Sequence, residues 1–172
     1  LDFYYQHYNL NYISLRYGNV YGPRQDPYGE AGVVAIFLQK MLNDEVPIIN
    51  GDGEYIRDYV YVEDVANACL LGIKNMLKLS KLQTLKRRKN ELIFNALNIG
   101  TGKGISVNQL FAYIQEIIES SLKPNYGPPR PGDLRKNVLD CNLAKRYLGW
   151  EAQNDLQDGL RKTVEWFKFK RK

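Results

Sequence analysis

Two short apolar stretches limit what this chain can fold into. Residues 12–15, where Ile13 and Leu15 flank polar Ser14, and residues 94–99, closed by Gly100-Thr-Gly102, read as strands fit for a buried parallel sheet. The rest of the chain alternates between amphipathic helix, shorter strand and glycine- or proline-rich loop, which is an α/β pattern. A parallel sheet needs cover on both faces and neighbours along its edges. Two strands do not make one, so the sequence reads as part of something larger. It begins at Leu1 rather than Met, and LDFYYQHY lacks the charged-then-apolar plan of a signal peptide. The expectation is a chain processed, truncated or cut from a longer protein.

Helix and strand signals fill in the rest. Phe3, Tyr4 and His7 or Tyr8 share a helical face. Residues 33–43 form a helix with Ile36, Phe37, Met41 and Leu42 on its apolar side. Residues 46–49 and 55–62 read as strands on either side of the Gly51-Asp-Gly53 turn. A helix starts at Glu63, acidic in its first turn, and runs through Val65, Ala66, Cys69, Leu70 and Ile73 to an end that the pattern does not fix. Ser106 is placed to cap a helix over residues 107–120 with Leu110, Ile114, Ile117 and Ile118 inward. Asp140 and Asp155 are placed to open two further helices, the first over residues 141–148.

Composition excludes several classes. The chain has 172 residues, 44% hydrophobic and 25% charged, typical of a globular domain. No apolar run approaches a membrane span. Two distant cysteines, Cys69 and Cys141, and one histidine, His7, support neither a disulfide framework nor a zinc site. Free thiols point to a reducing, cytoplasmic setting. The net charge of +5 sits in two segments: residues 74–91 hold seven Lys/Arg against one Glu, and residues 161–172 hold six against one. LKRRKNE has no interleaved aromatics, so it reads as a solvated loop or helix end rather than a nucleic-acid footprint. A basic nucleic-acid-binding module is the alternative from a different class.

The chemistry lies in the loops. RYGNVYGPRQDP, residues 16–27, follows the first strand with Tyr17, Asn19, Tyr21, Arg24 and Gln25 able to meet a ligand. In open α/β sheets ligands sit beyond the carboxyl ends of strands. Arg24, Arg57 and Arg130 occupy three glycine- and proline-rich loops and could converge on one diphosphate, since guanidinium groups take phosphate oxygens in pairs. Asp133 could accept from sugar hydroxyls. Asp58 could instead tie Arg57 into a structural ion pair. No Ser–His–Asp set is available. There is no G-x-G-x-x-G loop, and Gly100-Thr-Gly102-Lys-Gly104 reads as a tight turn.

Four blocks carry a resemblance: LRYGNVYGPRQDPYGEAGVVAIF, INGDGEYIRDYVYVEDVANAC, ALNIGTG and PPRPGDLRKNVLDCNLAKRYLGW. Together they resemble the carboxyl half of an extended short-chain dehydrogenase/reductase of the NAD-dependent epimerase/dehydratase family, close to UDP-glucose 4-epimerase-like proteins. The resemblance implies the last parallel strands of a Rossmann-type domain (residues 1–22 and 60–104) and a small substrate-binding domain (residues 23–59 and 105–172). It implies NAD as cofactor and a UDP-sugar such as UDP-glucose or UDP-galactose as ligand, with no membrane or nucleic-acid partner and a homodimer for the intact protein. The family's catalytic Tyr-x-x-x-Lys, with its Ser/Thr partner, lies upstream of the segment matching Leu1, so no residue here is assigned as catalytic and the chain alone is expected to be inactive. Tyr17, Asn19 and Val20 match cofactor contacts. Asn19, Gly32, Val33, Ile48, Asn50, Arg57, Arg130 and Asp133 match contacts to the nucleotide sugar, with Asn50 where an aromatic is commoner. A dehydratase or decarboxylase of the same family and a non-catalytic binding fragment are the alternatives. The longer, more basic residues 74–91 receive no role.

Overall fold

The strand over residues 56–61 organises the molecule, because four consecutive residues in it, Asp58 to Tyr61, are buried. A half-exposed strand would alternate; this one is covered on both faces. The computed structural model describes residues 1–28, 32–88 and 96–170, and these form α1 (Asp2–Tyr8), β1 (Ser14–Tyr17), β2 (Asn19–Tyr21), α2 (Val33–Leu42), β3 (Ile48–Asn50), β4 (Ile56–Tyr61), α3 (Val62–Arg88), β5 (Ala96–Ile99), β6 (Gly104–Ser106), α4 (Val107–Ile118), β7 (Asn125–Gly127), β8 (Lys136–Asn137), α5 (Asn142–Leu148) and α6 (Leu156–Lys170). The α/β reading holds.

Three small sheets result. β1 and β5, the two stretches that looked fit for a parallel sheet, pair parallel with each other, Ser14 opposite Ala96 and Tyr17 opposite Ile99. β4 pairs parallel with β2 and β8 and antiparallel with β6. β3 pairs parallel with β7. β1 starts two residues later than the sequence pattern suggests and carries Arg16 and Tyr17 within the strand. RYGNVYGPRQDP is therefore not one loop: it spans the end of β1, a break at Gly18, all of β2 and a turn. The expected strand residues Phe94 and Asn95 lie outside the described residues.

Alternation along β4 splits the core. Tyr59 and Tyr61 face a cluster built from α2, α4 and α6, including Phe37, Leu38, Leu110, Ile114, Leu160 and Phe167. Val60 faces a second cluster with Val65, Leu79, Leu97, Ile99 and Trp150. The inward face of α2 is Val34, Ala35, Phe37, Leu38 and Met41. Ile36 and Leu42, expected on that face, are only half-buried; the helix axis is rotated relative to the simple periodic reading because it packs on α4 and α6 together.

Ser106 and Asp155 cap their helices as expected, whereas Asp140 lies one residue outside the start of α5 and makes only a turn bond there. Ser106 accepts from Gln109 N while Gln109 returns a bond to the Ser106 amide, a complete capping box. Asp140 accepts from Asn142 N at 2.9 Å, and Asp155 from Asp158 N at 2.8 Å. Cys141 sits at the N-cap of α5 rather than inside it. Asp64, in the first turn of α3, is buried and accepts from the amides of Gln153 and Asn154, while its carbonyl takes the indole N–H of Trp150. α3 runs on to Arg88, so the basic stretch is largely the end of a long helix.

Asp58 joins the β1–β5 pair to β4. It is 1% exposed and accepts from Thr101 N at 2.7 Å, Thr101 Oγ1 at 2.6 Å, Gly102 N at 3.0 Å and Leu139 N at 3.3 Å. Two glycines make the approach possible. A Cβ on Gly100 would lie 2.5 Å from Asp58 Oδ2, and one on Gly18 would lie 2.7 Å from the Asp58 carbonyl oxygen. Asp58 is thus not the partner of Arg57, contrary to one sequence reading, because neighbouring residues of a strand point to opposite faces. Asp58→Ala leaves these donors unpaired and is expected to lower the unfolding free energy by about 3 kcal/mol in urea titrations; an unchanged midpoint and slope would contradict this.

Candidate functional site

Arg57 occupies the same face of β4 as Tyr59, two residues before it, where the strand passes the amino end of α2 and the β3–β7 pair. Its Nη1 donates to Ile56 O at 2.8 Å and Leu134 O at 2.7 Å, and its Nη2 donates to Asp133 Oδ1. Three of its five N–H groups are therefore occupied, and the Nε–Nη2 edge keeps one N–H on each nitrogen. The side chain is only 13% exposed, which fixes that edge in place.

These groups border a cavity of about 350 Å³. Its floor includes Tyr55, Tyr59 and Val107, and one wall carries Ile36 and Phe37 of α2. Asn19 of β2 is on its rim, together with Gly32 and Val33 at the start of α2. Ile48 and Asn50 of β3 form another side, and Arg130 and Asp133 close it with Arg57. All eight residues expected to meet a nucleotide sugar thus come to one cavity. Gly32 is the N-cap of α2, and among the described residues no side chain caps the first N–H groups of this ten-residue helix at the rim. A helix amino end and two guanidinium groups make the cavity attractive to anions.

Other expected residues lie elsewhere. Tyr17 ends β1, 46% exposed, outside the cavity. Its hydroxyl is 3.4 Å from Cys69 Sγ, and that contact raises its pKa. Val20 is half-buried against the second core cluster, and its carbonyl accepts from Gln25 Nε2 at 3.2 Å. Arg24 takes a left-handed backbone conformation, φ 70°, and does not reach the cavity. The amides of Thr101 and Gly102, in the GTGKG turn, already face Asp58, so this turn offers no free phosphate cradle.

Sequence reading missed Tyr55 and Tyr59. Tyr55 lies under Arg57 and Arg135, whose guanidinium carbons are 5.9 Å and 4.9 Å from its ring centre. Their period-2 spacing with Arg57 was the available signal. Tyr59 is 4% exposed; its hydroxyl has no partner among the described residues, and burial pushes its pKa up to about 12. The turn before β4 is held from outside: Asn108 donates to Asp52 O at 2.9 Å and to Glu54 Oε1 at 2.6 Å, and Tyr126 donates to Asn108 at 3.1 Å. A larger cavity, about 630 Å³, lies between the GTGKG turn and the segment leading into α6. It carries charges of both signs, and Lys145 there is paired with Glu151.

Residues 2–83 match the model of the NAD dependent epimerase/dehydratase family. Over 170 residues, 99% of its length, the chain is 39% identical to a UDP-glucose 4-epimerase of Mycolicibacterium smegmatis, of which it covers 50%. The chain belongs to the NAD-dependent epimerase/dehydratase family. Its fold is similar to that of UDP-glucose 4-epimerase from Thermotoga maritima, solved with UDP-glucose, with a TM-score of 0.84 and 48% identity over 99% of this chain and 50% of that one. A UDP-N-acetylglucosamine 4-epimerase from Methanobrevibacter ruminantium, solved with UDP-N-acetylmuramic acid, gives a TM-score of 0.81 at 33% identity, over 98% of this chain and 50% of that one. The chain spans about half the length of the curated relatives it matches. Among the described residues no helix is long and apolar enough to cross a membrane.

Arg135 pairs with Asp52 through two hydrogen bonds, at 2.7 and 2.8 Å, and holds its carboxyl at about 2. Since the folded value is depressed, the pair contributes above the ordinary carboxylate range and is lost as pH falls toward 2. A carboxyl ¹³C titration is expected to place Asp52 at about 2, rising to about 4 in Arg135→Ala. A wild-type midpoint near 4 would refute the pairing in solution.

Proposed function

We propose that this chain is the nucleotide-sugar-binding part of an NAD-dependent, UDP-glucose 4-epimerase-like enzyme, and that the 350 Å³ cavity receives the UDP-sugar. The observation that carries this is the meeting of Arg57, Arg130 and the amino end of α2 around one cavity. In this reading the free Nε–Nη2 edge of Arg57 takes diphosphate oxygens. Asp133, with Oδ1 engaged by Arg57, accepts from ribose hydroxyls through Oδ2. Ile48 flanks the base.

The residues at the carboxyl end of β1 fit one end of NAD. The Tyr17 ring is exposed at the end of a parallel strand, and Asn19, the first residue of β2, reaches the cavity. Tyr17, Asn19 and the Val20 backbone would meet the nicotinamide end; when bound, NAD supplies a reversible hydride acceptor for a sugar carbon. What this chain contributes is orientation: it fixes the diphosphate so that the sugar lies beside Asn19 and Tyr17.

Chemistry in this reading also needs groups outside the chain, whose sequence holds no Tyr-x-x-x-Lys. The purified 172-residue polypeptide with added NAD is expected to show no interconversion of UDP-glucose and UDP-galactose; measurable turnover would contradict this. In the intact protein, Arg57→Ala is expected to weaken UDP-sugar binding by about 1.5–3 kcal/mol, the scale of a charged hydrogen bond. An unchanged affinity by calorimetry would remove Arg57 from the site.

A further inference from the structure

Arg57 and Arg130 are held in different ways. Arg57 is bound by two carbonyl groups and a carboxylate. Arg130 is exposed, on the GPPRPG segment, and faces the side-chain amide of Asn50. With the amide oxygen turned toward these donors, Asn50 accepts from Arg130 Nε at 3.0 Å and Nη2 at 3.2 Å. We propose that Asn50 is a positioning residue, which sets the Arg130 guanidinium for the diphosphate and does not itself touch it.

The backbone makes Asn50 a firm anchor. Asn50 is paired in register with Gly127, and Gly51 N donates to Gly127 O at 2.9 Å. Arg130 follows Gly127 by three residues, two of them prolines, so the anchor and the arginine are held on one stiffened parallel strand pair. The bond consumes the Nε edge of the guanidinium. The two N–H groups of Nη1 and the second N–H of Nη2 stay free, and these form the end-on fork that grips two phosphate oxygens. A neutral amide also leaves the arginine's charge uncancelled. A carboxylate at residue 50 would hold the side chain as firmly and neutralise it.

The inference rests on reading the cavity as a nucleoside diphosphate site. It is tested by calorimetry of UDP on the intact protein and on Asn50→Ala, Arg130→Ala, the double variant and Asn50→Asp. Asn50→Ala is expected to weaken UDP about threefold to tenfold, the cost of ordering one long side chain at binding. In the Arg130→Ala background the same change is expected to do less than about twofold. Asn50→Asp is expected to weaken UDP at least as much as Asn50→Ala although it keeps the contact, which a merely structural role would not produce. Equal effects in both backgrounds, or no effect of Asn50→Ala, would overturn the inference while leaving the cavity reading intact. No UDP binding by the unchanged protein would overturn both.

Discussion

A buried carboxylate joins the parts of this molecule. Asp58 gathers the Thr101 and Gly102 amides at the end of β5 and the Leu139 amide before α5 onto the middle of β4. A charge at 1% exposure is tolerable only because four donors surround it. The arrangement fixes where β4 lies relative to the β1–β5 pair. It also explains why the glycine-rich turn between β5 and β6 offers no phosphate cradle: its amides already face an internal carboxylate.

Strand alternation then turns that structural anchor into a site. With Asp58 held toward the β5 end, Arg57 must project to the other face, toward α2 and the β3–β7 pair. There its guanidinium is fixed by Ile56 O, Leu134 O and Asp133. Tyr59, on the same face, fills the space beneath. The turn preceding β4 is clamped by Asn108 and by the Asp52–Arg135 pair. A rigid arginine and a helix end that no described side chain caps line one cavity, an arrangement suited to an anion with small ordering costs on binding.

Much of this was legible in the sequence. Ser106 and Asp155 announced helix starts because capping is a local matter of one side chain and a nearby amide; the α5 start, expected from an Asp140 cap, falls one residue later, with Cys141 at the N-cap. Strands β1 and β5 were visible as short apolar runs, while their pairing with each other was not. The family resemblance named the residues that surround the cavity, but it could not show that Asp133 is engaged by Arg57 or that Asn50 faces Arg130. Those contacts join residues about 75 to 80 positions apart, beyond any local pattern. The Asp58 reading failed for the same reason: adjacency to Arg57 in sequence suggested a pair, whereas the pleat separates them. The inward face of α2 differs from the periodic reading because two packing partners, α4 and α6, rather than periodicity alone, decide which side turns in.

In the proposed complex, Arg57 and Arg130 grip one diphosphate at the amino end of α2. A crystal structure of the intact protein with a bound UDP-sugar tests it most directly. The expected result places diphosphate oxygens about 3 Å from the Nε–Nη2 edge of Arg57 and from the end-on fork of Arg130, with the Arg57–Asp133 pair retained. A diphosphate bound instead in the larger cavity beside Thr101 and Lys145 would contradict it.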